Sequence, residues 1–353
     1  MLAVELERRL TDGSEFADSR IPALVAENWT SFGVDVLAGR IPAAAVLIEA
    51  LDRVPEWTDL AFRSTAVRIA VADLLKGDTD DAVLEEVAAL VWSSPPTHPE
   101  GEVIPLGTPG NGRTLPLLVP DPRRVSCRVV CERFERTIGA DLVREGQQPA
   151  AIDAPMEPEV AVLRAGVDLL AALVPRLAAS VAEHVHLVAV VRPADRALSA
   201  SNAAVPGAVF LAGGALSDRL SAAEGVLHEA THLRLYELAL YRRLYAEHPA
   251  KTITPPWYGA ESGGGLAWPV DRALAAFHVY VHLAALWFAA AGSTDVLTSG
   301  ELTQARARFD RCLDKGGYLA HALLGPLWTD LGPDGARFAE GLAAQLEQIG
   351  EAS

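Results

Sequence analysis

The chain has 353 residues, half of them hydrophobic, and a formal net charge of −16. This length allows about two domains and a sizeable core. The surplus of negative charge repels phosphate backbones, and no dense cluster of Lys or Arg offsets it, so nucleic acid is excluded as an expected partner. Ala, Leu and Val far outnumber the aromatic residues, which favours a mostly helical protein.

The first 156 residues predict a helical N-terminal region that is interrupted once. Apolar residues recur every three or four positions in three stretches, Ala43–Leu51, Leu60–Leu75 and Ala82–Val91. Between about residues 93 and 132 prolines and glycines break the helical pattern, and two short apolar runs there, Leu115–Val119 and Val125–Val130, predict strands. We therefore expect one domain over residues 1–156 and a metal-binding catalytic domain over residues 157–353.

The second domain is predicted to combine helices with two short strands. The patterns predict helices at Pro158–Ala179, from about Asp218 to His248 and at Val270–Ala290, and strands at His186–Val191 and Gly207–Leu211. Ser217 and Asp218 can cap the middle helix. From Ser299 to Ile349 the sequence predicts two or three more helices, with breaks near Lys315–Gly317 and at Gly332-Pro333. The expected fold class is α+β: mainly α, with a small β component that precedes the middle helix.

Cysteine usage and the start of the chain indicate a cytoplasmic protein. Cys127, Cys131 and Cys312 form no paired framework, and no further Cys pair or nearby His completes a zinc site with them. The first residues lack a basic stretch followed by an apolar one. The apolar run Ala273–Ala291 is long enough to cross a membrane, but its two histidines would be costly in lipid, so no membrane partner is expected.

The strongest chemical signal is His228-Glu229-Ala230-Thr231-His232, which lies inside the predicted middle helix. Residues four apart on a helix lie on one face, one turn apart, so both imidazoles can reach one metal ion. The alternative interpretation is a pair of ordinary helix histidines. We predict that His228 and His232 bind a divalent transition metal and that Glu229 takes part in the chemistry.

A catalytic metal site needs a third protein ligand, which must come from elsewhere in the chain. His278 and His282 are also four apart, on the next apolar helix, where an unpaired polar group would be costly. Either could instead be a core histidine. Glu261 lies in a loop that could reach the metal, whereas Glu237 lies too close to the motif in sequence. The remaining histidines, assigned no chemistry, are His98, His184, His186, His248 and His321.

Several segments, in order along the chain, resemble the αKG-HExxH peptide β-hydroxylases of peptide natural-product gene clusters. These segments are Ser199-Ala200-Ser201-Asn202, Pro206-Gly207-Ala208-Val209-Phe210-Leu211, Gly225 to His232, Pro256-Trp257 and Leu274 to Tyr280. The resemblance extends over roughly Val181–Phe288. It implies a non-haem Fe(II) centre that uses 2-oxoglutarate and O2 to hydroxylate a β-carbon of a residue in a ribosomally made precursor peptide.

The resemblance also implies roles for individual residues. His228 and His232 match the motif histidines and His278 matches the histidine of the later helix, whereas His282 has no counterpart. Where the family has an Arg after Pro-Trp this chain has Tyr258, so we predict that Arg272 binds 2-oxoglutarate instead. The implied fold differs from the double-stranded β-helix usual among 2-oxoglutarate oxygenases.

The leading hypothesis is therefore an Fe(II)- and 2-oxoglutarate-dependent oxygenase. The alternative is a zinc metallopeptidase, in which Glu229 is the general base on a zinc-bound water and the strand Gly207–Leu211 aligns an extended peptide. A third hypothesis is a non-catalytic protein that binds a leader or precursor peptide. A third histidine ligand with an arginine nearby favours the oxygenase, and a glutamate from a following helix favours the peptidase.

Overall fold

The computed structural model describes residues 2–12, 42–76, 81–93, 98–107, 114–144, 148–192, 198–257 and 267–353. The chain divides into two compact units, each built from more than one stretch. Unit 1 comprises Met1–Ile21, Leu169–Ser180 and Arg234–Ser353, and unit 2 comprises Pro22–Asp168 and Val181–Leu233. The predicted domains, residues 1–156 and 157–353, are continuous stretches, and this division stays a prediction.

Most of the described chain is helical, as the composition predicts. The helices are α1 (Leu2–Asp12), α2 (Pro42–Arg53), α3 (Glu56–Arg63), α4 (Thr65–Lys76), α5 (Asp81–Trp92), α6 (Val125–Phe134), α7 (Ala140–Arg144), α8 (Glu157–Leu173), α9 (Pro175–His184), α10 (Arg219–Tyr241), α11 (Val270–Ala291), α12 (Ser299–Leu324) and α13 (Pro333–Glu351). A π-helical segment, Glu135–Gly139, joins α6 to α7. The predicted fold class, mainly α with a small β component, is confirmed.

The described residues of unit 2 contain a six-stranded sheet. Its strands are β1 (Glu102–Pro105), β2 (Pro116–Val119), β3 (Ala151–Asp153), β4 (Leu187–Arg192), β5 (Leu198–Ala200) and β6 (Ala208–Ala212). Their order is β1-β2-β4-β6-β5, and β3 also pairs with β4. Strands β4 and β6 are parallel and almost wholly buried, which is the pattern of strands covered on both faces. Two further short strands, β7 (Thr252–Ile253) and β8 (Trp268–Pro269), pair in unit 1.

The strands predicted at Leu115–Val119, His186–Val191 and Gly207–Leu211 correspond to β2, β4 and β6. The sequence did not indicate β1 or β3, which carry exposed and half-buried residues without an apolar run. These strands form because a neighbouring strand offers backbone partners, a long-range cause that a local pattern does not contain.

The strand predicted at Val125–Val130 is wrong, because these residues begin helix α6. The side chain of Glu86, on α5, accepts hydrogen bonds from the backbone amides of Val125 at 2.6 Å and Ser126 at 3.1 Å. A carboxylate at a helix N-terminus satisfies amides that have no partner within the helix. This cap comes from 39 positions earlier in the chain, so the local sequence could not indicate it.

Three predicted helix limits also need correction. The helix predicted at Pro158–Ala179 is divided in two, because Pro175 lacks the amide that would continue α8. The middle helix ends at Tyr241 and not near His248. Helix α12 continues through Gly316, where a break was predicted, because this glycine permits close packing: a Cβ atom there would lie 2.8 Å from Leu346 Cδ2.

Helix α10, which carries the histidine motif, is held close to its neighbours in unit 2. Asp218 Oδ1 accepts from the Ser221 amide at 2.9 Å, which confirms Asp218 as the cap. A Cβ atom at Gly225 would lie 3.1 Å from Leu211 Cδ2, so α10 packs directly on β6. A Cβ atom at Gly166 would lie 2.7 Å from Ala222 Cβ, so α8 also packs closely against α10. This packing holds α10 against β5 and β6 just before the histidine motif.

Helix α11 matches the predicted Val270–Ala290 to within one residue. It is long and apolar enough to cross a membrane by length and composition, and 72% of its most apolar window is buried inside the protein. Among the described residues no second helix passes the same test.

Candidate metal centre

The two motif histidines converge within unit 2. His228 Nε2 and His232 Nε2 lie 3.2 Å apart. Two nitrogens that are each about 2.1 Å from one ion stand roughly 3.0 Å apart at a right angle and roughly 3.4 Å apart at a tetrahedral angle. The observed separation lies between these values. The pair therefore has the spacing of two neighbouring ligands of one metal ion.

Glu229 lies beside this pair and is nearly fully buried, with 2% of its surface exposed. Its Oε2 accepts a hydrogen bond from Ser201 Oγ at 2.7 Å, and its Oε1 lies 3.7 Å from His228 Nε2. Ser201 directly follows strand β5, whose residue Ala200 pairs with Phe210 of β6. One carboxylate oxygen thus faces the sheet edge and the other faces the histidines.

Electrostatics keep His232 in the form that binds metals. Burial, followed by the neighbouring His228, lowers the pKa of His232 to about 4, although Glu229 partly opposes this shift. A neutral imidazole has a lone pair available, whereas a protonated one has none. At neutral pH the ring of His232 is therefore ready to bind a metal without first losing a proton.

His278 and His282 lie on α11 in unit 1, and both are buried. His282 Nδ1 donates to the backbone oxygen of His278 at 2.8 Å, which leaves Nε2 as the acceptor. That Nε2 lies 3.5 Å from Arg234 Nη1, which itself donates to the backbone oxygen of Leu10 at 2.9 Å. Both ring nitrogens of His282 are thus engaged, so a metal ion would have to displace Arg234 to use it.

The ring of His278 packs between His282 and Phe338, with ring centroids 4.4 and 5.1 Å away. Arg272, at the start of α11, is exposed, and its guanidinium lies 4.8 Å above the ring of Trp268. Within the described residues, no group of three His, Cys, Asp or Glu side chains is gathered closely enough to hold a metal ion. The third ligand and the role of Arg272 therefore stay predictions. Tyr258 and Glu261 lie outside the described residues.

A second group of buried polar residues in unit 2 serves the structure of helix α4. Glu100 is fully buried and accepts from Ser64 Oγ at 2.7 Å and from the Ala66 amide at 3.0 Å, near the start of α4. Its other oxygen lies 2.8 Å from His98 Nδ1. Burial raises the pKa of Glu100, whereas the nearby His98 and these hydrogen bonds lower it. The net effect is a lowered pKa. Helix capping explains this carboxylate.

His186, which directly precedes β4, should make the stability of the protein fall in acid. Burial, and next the nearby Arg68, hold its pKa well below the usual value of about 6.5. Below pH 6.5 the unfolded chain binds this proton and the folded chain does not, so stability is fully present above about pH 6.5 and is lost as pH falls. We expect this group to contribute up to about 1.4 kcal/mol per pH unit to the loss.

The measurement is the free energy of unfolding in urea from pH 7.5 to 5, compared between the wild type and His186→Gln. In the variant the slope of the free energy of unfolding against pH should be smaller, by an amount that corresponds to the uptake of up to one proton on unfolding. Equal slopes would contradict the assignment to His186.

Two interactions, one beside the motif histidines in unit 2 and one beside His282 in unit 1, were not predicted from the sequence. Ser199 and Ala200 belong to strand β5, which the sequence pattern does not predict, and the sequence assigns no role to Ser201. Arg234 was not singled out at all. Neither residue has a local signal, because each is defined by a partner at least 28 positions away.

Comparison with known proteins adds no family to this description. No protein-family model matches the chain, and no curated protein matches its sequence.

Proposed function

We propose that the protein is an Fe(II)- and 2-oxoglutarate-dependent oxygenase that hydroxylates a β-carbon of a residue in a ribosomally made precursor peptide. The observation that carries the proposal is the 3.2 Å separation of His228 Nε2 and His232 Nε2, which suits two ligands of one ion. The choice of iron and of 2-oxoglutarate is supported by the resemblance of the ordered segments, since imidazoles alone would also bind zinc.

In this proposal His228 and His232 hold the metal and His278 is the third ligand. The chemistry that Fe(II) and 2-oxoglutarate supply when bound is reduction of O2, in which one oxygen atom enters the substrate C–H bond and the other enters succinate, with release of CO2. Glu229 accepts hydrogen bonds beside the metal and does not need to remove a proton from water. Arg272 is proposed to pair with the distal carboxylate of 2-oxoglutarate.

The test is metal and co-substrate binding by anaerobically purified protein. We expect the protein to bind Fe(II) stoichiometrically. A visible charge-transfer band should appear only when 2-oxoglutarate is added. On admission of O2 the protein should form succinate from 2-oxoglutarate. Metal binding without this band and without succinate would overturn the oxygenase proposal but support the metal site. Absence of metal would favour the hypothesis of a non-catalytic protein that binds the peptide.

A second candidate, a zinc metallopeptidase, is favoured by one specific observation. Glu229 Oε1 faces His228 Nε2 at 3.7 Å, a position from which a carboxylate could also take a proton from water. Neither interpretation gains from the fold alone, because function depends on the site and not on the architecture.

Glu229→Gln should distinguish these two candidates. The amide keeps the size of the side chain and an oxygen that can accept from Ser201, but it cannot act as a base. In the oxygenase we expect metal to stay bound and turnover of 2-oxoglutarate to fall only partly, by roughly tenfold. Loss of about 100-fold or more of a peptide-cleaving activity, with metal retained, would establish the peptidase instead.

His278→Ala and His282→Ala, compared side by side, test the third ligand. We expect His278→Ala to lose metal and His282→Ala to keep it, because both ring nitrogens of His282 are engaged by His278 O and Arg234. Metal content by atomic absorption is the measurement. A loaded His278→Ala protein beside a metal-free His282→Ala protein would reverse the assignment.

A further inference from the structure

We infer that Ser201 is a positioning residue that holds Glu229 with one oxygen directed toward the motif histidines, an inference that rests on the proposed metal site. Ser201 Oγ donates a hydrogen bond to Glu229 Oε2 at 2.7 Å. Only 2% of the surface of Glu229 is exposed. A buried carboxylate oxygen without a donor is costly. The hydroxyl of Ser201 meets that requirement for Oε2.

The second oxygen of Glu229 is the one available to the metal site. Oε1 lies 3.7 Å from His228 Nε2, the nitrogen that is proposed to bind the ion. A partial rotation about the last bond of the side chain would turn Oε1 away from the histidines. The hydrogen bond from Ser201 opposes this rotation, so a single oxygen of Glu229 is kept on the side of the histidines.

The backbone around Ser201 is suited to this task because it is fixed on both sides. Before it, Ala200 of β5 pairs with Phe210 of β6. After it, Asn202 Oδ1 accepts from the Ala204 amide at 2.8 Å, and the Val205 amide donates to Asn202 O at 2.9 Å, which closes a turn. A donor on a rigid element positions its acceptor more closely than one on a free loop.

The partner helix is equally constrained. A Cβ atom at Gly225 would lie 3.6 Å from Ser199 Cβ, so α10 approaches β5 closely just before the motif. Strand β5 and helix α10 therefore have a fixed separation at this point. The Ser201–Glu229 hydrogen bond spans this short gap, and it links the edge of the sheet to the metal centre.

The experiment compares Ser201→Ala with Ser201→Thr, which keeps the hydroxyl. Ser199→Ala, two positions earlier and within β5, is the matched control. Each protein is loaded with Co(II), whose visible absorption spectrum reports the arrangement of ligands around the ion. The Co(II) dissociation constant and the turnover of 2-oxoglutarate by the Fe(II) form are measured in parallel.

We expect Ser201→Ala to change the Co(II) spectrum and to reduce turnover by about tenfold, while the dissociation constant changes much less, because Ser201 touches no ligand directly. Ser201→Thr and Ser199→Ala should keep the wild-type spectrum. If Ser201→Ala does not fold, Ser201→Cys gives the same comparison, since a thiol is a weak donor of similar size.

The outcomes separate the inference from the proposal beneath it. A wild type that binds Co(II), with Ser201 variants whose spectrum and turnover are unchanged, overturns the role of Ser201 alone. Equal loss in the Thr and Ala variants also overturns it, because the hydroxyl would then not be the cause. A wild type that binds no Co(II) overturns the metal site and the role of Ser201 together.

Discussion

Replacing His228 or His232 with alanine should abolish stoichiometric metal binding. Each change removes one of about three protein ligands and one nitrogen of the pair that stands 3.2 Å apart, and the ligands that remain are too few for stable binding. The loss of affinity should exceed the roughly 10–100-fold that follows removal of a group that merely supports a ligand. Activity, whether oxygenase or peptidase, should disappear with the metal.

The measurement is metal content after dialysis, together with the dissociation constant for Co(II). His248→Ala is the matched control, since His248 is exposed and assigned no role. A variant of His228 or His232 that keeps its full metal content would show that the two histidines are not metal ligands.

Gly207→Ala should lower the free energy of unfolding by about 2–5 kcal/mol, from two separate causes. Gly207 has φ of +78°, a conformation that costs other residues about 1–2 kcal/mol. An added Cβ atom would also lie 2.4 Å from Cδ2 of the buried His186 ring. Such overpacking typically costs about 1–3 kcal/mol. Urea denaturation of the variant and the wild type gives the difference.

The two causes can be separated by adding His186→Ala. If the imidazole ring is the obstacle, Gly207→Ala should cost less in the His186→Ala background than in the wild type. The remainder comes from the backbone strain and from residue 186 Cβ, which would lie 3.2 Å from the added atom. The same cost in both backgrounds would assign the whole effect to the backbone. A cost below about 1 kcal/mol in the wild type would contradict both arguments.

The elements that the sequence predicts well are those whose cause is local. The apolar spacing in α11 and the buried runs of β4 and β6 follow from a periodicity that each segment carries by itself. The same is true of the His228–His232 pair, because a helix necessarily brings residues four apart to one face. These features needed no knowledge of the rest of the chain.

The elements that the sequence does not predict depend on distant partners. The apolar residues of Val125–Val130 suit a strand or a helix, and the carboxylate of Glu86 decides in favour of the helix. In unit 2 the contact of Glu229 with Ser201 likewise joins residues far apart in sequence, and in unit 1 so does the contact of His282 with Arg234. The third ligand and the residue that would bind 2-oxoglutarate stay predictions, because each would depend on a contact with a distant partner.

The cap that Glu86 provides for α6 has a consequence for the order of folding. The first two amides of α6 depend on a carboxylate of α5, so the first turn of α6 should not become stable before α5 is in place. Closing the loop between Glu86 and Val125 must therefore accompany nucleation of α6 and not follow it. During synthesis α5 leaves the ribosome first, and α6 should become ordered as it docks onto a helix that is already present.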